Sequence, residues 1–80
     1  GIPAPALRWG YVVNDIYSDM FGFRFTIRKR DGAYIAWFQS WVIGNPYETL
    51  GDAKAACQAY WQQLWDKEML ISRDLPETGE

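Results

Sequence analysis

Arg24, Arg28, Lys29 and Arg30 stand on one side of an Asp31-Gly32 pair, and Trp37 and Trp41 stand on the other. Planar guanidinium groups stack on indole rings at about 0.5 to 2 kcal/mol each, so the first reading of such a set is a ladder in which arginines and tryptophans satisfy one another. Two functional readings compete with it. Arginines beside aromatic rings on a sheet can reach the phosphates or guanine edges of duplex DNA. Equally, Trp, Tyr and Arg are the residue types that dominate protein interface hot spots. These six residues form the candidate partner-binding site.

Other chemistry is poorly supplied. The chain has no histidine and a single cysteine, Cys57, so the usual zinc, haem and iron-sulfur ligand sets cannot be assembled within it. Ser18, Ser40 and Ser72 have no imidazole base, and Cys57 has none to activate it. Asp15 and Asp19 could be read as paired carboxylates, but they fall in a turn-rich run where solvated Asp is the ordinary composition. Gly51 is isolated and gives no phosphate-cradling fingerprint. No catalytic, cofactor-binding or metal residue is assigned, and a non-enzymatic protein is expected.

A hairpin must position the basic and aromatic cluster. Phe23, Phe25 and Ile27 alternate with Arg24, Thr26 and Arg28, and a second alternating run, Tyr34 to Val42, follows the Asp31-Gly32 turn. A two-residue turn sets Arg28 opposite Ile35, Thr26 opposite Trp37, Arg24 opposite Gln39 and Phe25 opposite Phe38. Trp37 and Trp41 then share a face with the arginines. A three-residue loop would shift the pairing by one and move both tryptophans to the Phe and Ile side. Asp-Gly between alternating runs favours the two-residue turn.

Around that hairpin the chain reads as one small α+β domain, a three-stranded antiparallel sheet packed against one C-terminal helix (β-β-β-α). Residues 1–6, with Pro3 and Pro5, read as a flexible arm. Leu7, Trp9, Tyr11 and Val13 mark a first strand, and Asn14 to Met20 reads as a loop because Asn, Asp and Ser favour turns. After a break at Gly44-Asn45-Pro46, Thr49 is the expected N-cap of a helix, with Asp52 in its first turn. Leu50, Ala53, Cys57, Tyr60, Trp61 and Leu64 make its apolar stripe, and the helix is expected to run to about Ile71. Trp65 is read as a lid on the end of the core. The domain is thus 7–71, and 72–80 reads as a flexible tail. Within its last six residues, Leu75 to Gly79 match the Leu-Pro-x-Thr-Gly pattern recognised by sortase transpeptidases, read here as a ligation handle or a dispensable end.

Eighty residues make one domain near the lower end of what folds alone. Five Trp, five Tyr and four Phe carry on the order of 2,000 to 3,500 Å² of apolar surface, more than one helix on a small sheet hides easily. Some aromatic surface is therefore expected to remain open to a partner. The formal charge of −2 is concentrated at the end, in Asp74, Glu77 and Glu80, and the remainder is nearly neutral, which favours a protein partner over nucleic acid. A lone cysteine fits a reducing cytoplasm, and no apolar run is long enough to span a bilayer.

The junction Trp41-Val-Ile-Gly44 followed by Tyr47-Glu-Thr-Leu-Gly-Asp-Ala-Lys-Ala-Ala56 resembles the strand-to-helix junction of small uncharacterised phage and prophage proteins. It is also similar to the ethylene-response-factor DNA-binding domain of plants, though its glycine-to-aromatic spacing is one longer. The first resemblance implies an accessory protein of a phage or mobile element that occupies a host protein, as anti-CRISPR inhibitors of defence systems do. The second implies a DNA-reading sheet face. A protein partner is the primary expectation, DNA binding is the alternative, and a homodimer through an unguarded strand edge is a further possibility.

Overall fold

The computed structural model of the chain describes residues 3 to 70, and of residues 68 to 70 the backbone alone. Five strands run in chain order: β1 (Gly10–Val12), β2 (Asp15–Met20), β3 (Phe23–Arg30), β4 (Ala33–Phe38) and β5 (Trp41–Tyr47). They form one antiparallel meander in the order β1-β2-β3-β4-β5. A helix α1 (Leu50–Leu64) follows, continued by a π-helical stretch over Trp65–Leu70.

The sheet therefore has five strands where three are expected, and each discrepancy has a local cause. Asn14 to Met20 is not a loop. From Asp15 it is β2, with Ile16, Ser18 and Met20 toward the helix and Asp15, Tyr17 and Asp19 away from it, each acid opposite an arginine of β3. The first strand is correspondingly short and pairs with β2, not with β3. The run from Tyr34 to Val42 is also divided, because the chain reverses at Gln39, whose φ is +56°, so that Phe38 faces Trp41 across a further hairpin. Gly44-Asn45-Pro46 does not end the sheet. It forms a bulge inside β5, between the Ala36–Ile43 and Tyr34–Tyr47 pairs, on an edge strand where the missing proline donor costs nothing in the ladder.

The central hairpin has the register of a two-residue turn. Phe25 faces Phe38, Thr26 faces Trp37 and Arg28 faces Ile35. Asp31 and Gly32 have φ of +53° and +80°, the pair of positive angles that matches the twist of the flanking strands. Phe21 and Gly22 repeat the same geometry, at +52° and +85°. Phe is not a usual residue in the first of these positions. Its ring stacks on Trp61 at 6.2 Å and approaches Trp65 at 6.2 Å, a tertiary contact that turn chemistry alone does not reveal.

One face of the sheet is closed by α1. Phe25, Ile27, Ala36, Phe38 and Ile43 meet Ala53, Cys57 and Trp61 of the helix in a buried cluster. Thr49 caps the helix by accepting from the Asp52 N–H at 3.0 Å. Burial pushes the Cys57 thiol up to about 12, so it packs as a small neutral side chain. Trp65 lies over the end of this core, 5.9 Å from Trp61. Residue 71, where the helix is expected to end, and the tail over 72–80 lie outside the described residues.

The segment before β1 is bonded to the helix. Ala4 N–H donates to Gln62 Oε1 at 2.7 Å and Leu7 N–H to Gln58 Oε1 at 2.9 Å. The Pro5 carbonyl accepts from Trp61 Nε1 at 2.9 Å and from Gln58 Nε2 at 3.2 Å. Leu7 is buried at the end of this run. Side-chain amides thus take the place of a strand partner for a segment in which Pro3 and Pro5 have no N–H to offer.

Candidate functional site

Among the described residues no element covers the second face of the sheet, and the strand pairings arrange it in rows. The central row crosses all five strands: Gly10 faces Tyr17, Tyr17 faces Thr26, Thr26 faces Trp37 and Trp37 faces Val42. At about 4.8 Å per strand spacing this row is about 19 Å long. On one side lies Asp19 beside Arg24, and on the other lies Asp15 beside Arg28.

Both arginines are held in planar forks. Arg24 Nε donates to Asp19 Oδ1 at 2.9 Å and its Nη2 to Oδ2 at 2.6 Å. Arg28 repeats the geometry on Asp15 at 2.8 and 2.9 Å. Paired donors on one carboxylate fix orientation as well as charge. The hydrogen bonds from Arg28 and Arg24 hold the Asp15 and Asp19 carboxyls below their ordinary range. Each fork leans over a ring of the central row. The Arg24 guanidinium is 4.9 Å from the Tyr17 centroid and that of Arg28 is 5.8 Å from Trp37. Tyr17 is held from its other side by Gly10, where an added Cβ would stand 2.9 Å from the ring.

The six residues singled out from the sequence divide between the two faces. Arg24, Arg28, Arg30 and Trp37 lie on the open face. Lys29 lies on the helix side, its ammonium 5.7 Å from the Tyr34 ring. Trp41 also turns to the helix side, since it faces Phe38. It sits at the margin of the sheet, 69% exposed. The cause is the reversal at Gln39 and Ser40, which changes the parity of everything after it. A ladder of arginines on aromatic rings is present, but its second partner is aspartate. Asp15, Tyr17 and Asp19 were missed by sequence reasoning. The signal for them is a matched spacing, since two acids four apart face two arginines four apart across the Phe21-Gly22 turn.

Beside Trp37 is a depression of about 340 Å³ lined by Thr26, Arg28, Trp37, Gln39 and Ser40. It offers an aromatic wall with amide and hydroxyl groups around it. Among the described residues, no three His, Cys, Asp or Glu side chains converge as they would to hold a metal ion, and no helix is long and apolar enough to cross a membrane. Comparisons with protein-family models, with curated proteins and with solved structures found no match to the chain.

Proposed function

We propose that the chain is a non-enzymatic binding protein that acts by protein–protein contact through the open face of its sheet, with Trp37 and Tyr17 as anchors. The observation that supports this reading is the central row itself. Two aromatic rings are fixed on a rigid sheet by guanidinium groups that are in turn fixed by carboxylates. Such side chains lose little freedom on docking, and their charges are already paired, so a partner can cover them without leaving an ion unmatched. The phage-type resemblance of the strand-to-helix junction favours a host protein as partner, with inhibition of a defence protein as the case to examine first.

A photo-crosslinking residue in place of Trp37 tests this in a bacterial lysate, with the same residue in place of the exposed Gln63 on the helix as control. A discrete protein adduct formed from position 37 and not from position 63 is the expected result. Equal labelling from both positions would sink the proposal. The alternative is a DNA-binding sheet, favoured by the alignment of Arg24, Arg28 and Arg30 along β3. It requires phosphates to displace aspartates already bound bidentately, and it predicts a gel shift of duplex DNA that weakens steeply with salt.

A further inference from the structure

Residues 3–9 belong to no strand or helix, and residues 3–7 make no backbone-to-backbone hydrogen bond among the described residues. What holds them is one face of α1. Gln58 takes the Pro5 carbonyl through Nε2 and the Leu7 N–H through Oε1, at 3.2 and 2.9 Å, the two groups that a neighbouring strand would take on either side of Ala6. Trp61 Nε1 donates to the same carbonyl at 2.9 Å, and Gln62 Oε1 accepts from the Ala4 N–H at 2.7 Å. The Gln62 amide is aimed by its own Nε2, which donates to Asp66 Oδ1 at 3.0 Å.

The helix thus reads the backbone of an extended segment with side chains, and it makes one strong demand on the segment's own side chains. Ala4 and Ala6 are small, and Leu7 is the one residue of this run that is buried, 7% exposed. Pro3 and Pro5 restrict the freedom that such a segment loses when it docks, which is how aromatic-lined grooves hold proline-bearing peptides. The tether to the sheet is short. Arg8 and Trp9 alone separate Leu7 from Gly10, which already pairs with Tyr17, and short connections of this kind invite exchange between copies.

We propose that the α1 face built by Gln58, Trp61 and Gln62 is a peptide-recognition site that accepts residues 3–7 of a second copy in place of its own, giving a dimer by reciprocal exchange. A second copy carries the same segment, so each hydrogen bond opened in one chain is remade in the other, and the occupant matches the site by identity. The chain's own segment competes at the effective concentration of a short tether, on the order of millimolar, so exchange belongs to concentrated protein. The site lies on the helix side of the sheet, and exchange does not depend on the open-face reading.

The test uses the full chain. Isotope-labelled and unlabelled copies mixed at about millimolar concentration should give filtered nuclear Overhauser contacts between Leu7 of one copy and Gln58 or Trp61 of the other, and sedimentation should show the same dimer dissociating on dilution. A chain that stays monomeric at this concentration, or a dimer without these contacts, would overturn the proposal. Native-state hydrogen exchange reads the opening step: the Leu7 amide and the Trp61 indole N–H should be protected about tenfold less than the amides of β3, since the segment opens while the sheet stays closed. Equal protection would mean that the segment leaves only on global unfolding, which also overturns the proposal. In trans, a capped peptide of residues 3–9 should raise the melting temperature of L7A, whose own segment lacks its anchor, and the same peptide with Ala in place of Leu should bind about tenfold more weakly. No shift, or an equal shift from both peptides, overturns the site; where L7A does not fold, the two measurements on the native chain decide.

Discussion

The two faces of this sheet use aromatic residues in opposite ways. Toward the helix, rings pack on rings: Phe25 and Phe38 are 5.0 Å apart, as are Phe38 and Tyr60, and Trp61 meets Phe23 and Phe25 within 6.2 Å. Toward solvent, Tyr17 and Trp37 are covered by guanidinium groups. Rings against rings exclude water and supply cohesion. Rings under paired charges stay accessible at their edges and are held in one orientation without being buried. The difference teaches that an aromatic surplus in a small domain is not one property, since half-buried rings can be positioned by electrostatics when too little core exists to position them by packing.

The sharpest way to break this comparison is to truncate one large ring on each face. Trp61 is fully buried, touches Phe21, Phe23, Phe25 and Trp65 and holds the Pro5 carbonyl. W61A should cost about 3 to 5 kcal/mol, enough to leave much of a marginally stable domain unfolded. W37A should cost about 1 kcal/mol or less, because the ring loses contact with a guanidinium and not with a core, yet it should weaken partner binding by about 2 kcal/mol or more. Urea denaturation of the two variants checks the first pair of values. Equal destabilisation would mean that Trp37 belongs to a packed layer and that the contrast between faces is false.

How much of this was legible in the sequence depends on which force shapes each element. Asp31-Gly32 announces its own turn, so the register of the central hairpin could be read. Thr49, Asp52 and the stripe from Leu50 to Leu64 announce the helix, since capping and periodicity are local. β2 could not be read from composition, because Asp15 and Asp19 are strand residues only when Arg28 and Arg24 stand opposite. The turn at Phe21 is stabilised by Trp61, forty residues on, and that at Gln39 carries no Gly or Asn to mark it. Gln39 instead bonds back to Arg24, its N–H to the Arg24 carbonyl at 2.8 Å and its Oε1 to the Arg24 N–H at 3.1 Å. That unmarked turn is what carries Trp41 to the helix side, where unbroken alternation from Trp37 would keep it with the arginines. That Arg24, Arg28 and Trp37 share a face could be read, because alternation within one strand does not depend on distant partners.

A second prediction concerns the closed face alone. Ser18 points into the core from β2, 1% exposed, and its hydroxyl has no hydrogen-bond partner among the described residues. A buried hydroxyl without a partner costs about 1 to 3 kcal/mol in desolvation. S18A removes that cost while deleting one atom, so it should raise stability by about 1 kcal/mol, visible as a higher urea midpoint with an unchanged slope. A lower midpoint would mean that the hydroxyl finds a partner in solution and that this layer is less dry than its packing indicates.

The smallest effect belongs to the open face, and it is read from pH. Asp15 and Asp19 titrate below the ordinary carboxylate value because the forks from Arg28 and Arg24 favour their charged forms. In the unfolded chain both titrate near pH 4, so between the folded and unfolded values the unfolded state binds more protons. Stability from the forks is therefore complete above about pH 5 and declines as pH falls through the unfolded and then the folded values. Replacing both acids by Asn removes this dependence. The difference in melting temperature between the native chain and the D15N/D19N pair should be small at pH 7, since both forks are solvent-exposed and screened, and should close as pH falls below the lowered folded-state values. The near-ultraviolet circular dichroism of Trp37 and Tyr17 should change in the same window as the guanidinium groups lose their anchors. If the melting difference persists at low pH, the aspartates act through packing and not through charge. The forks would then not be what holds the open-face rings in place.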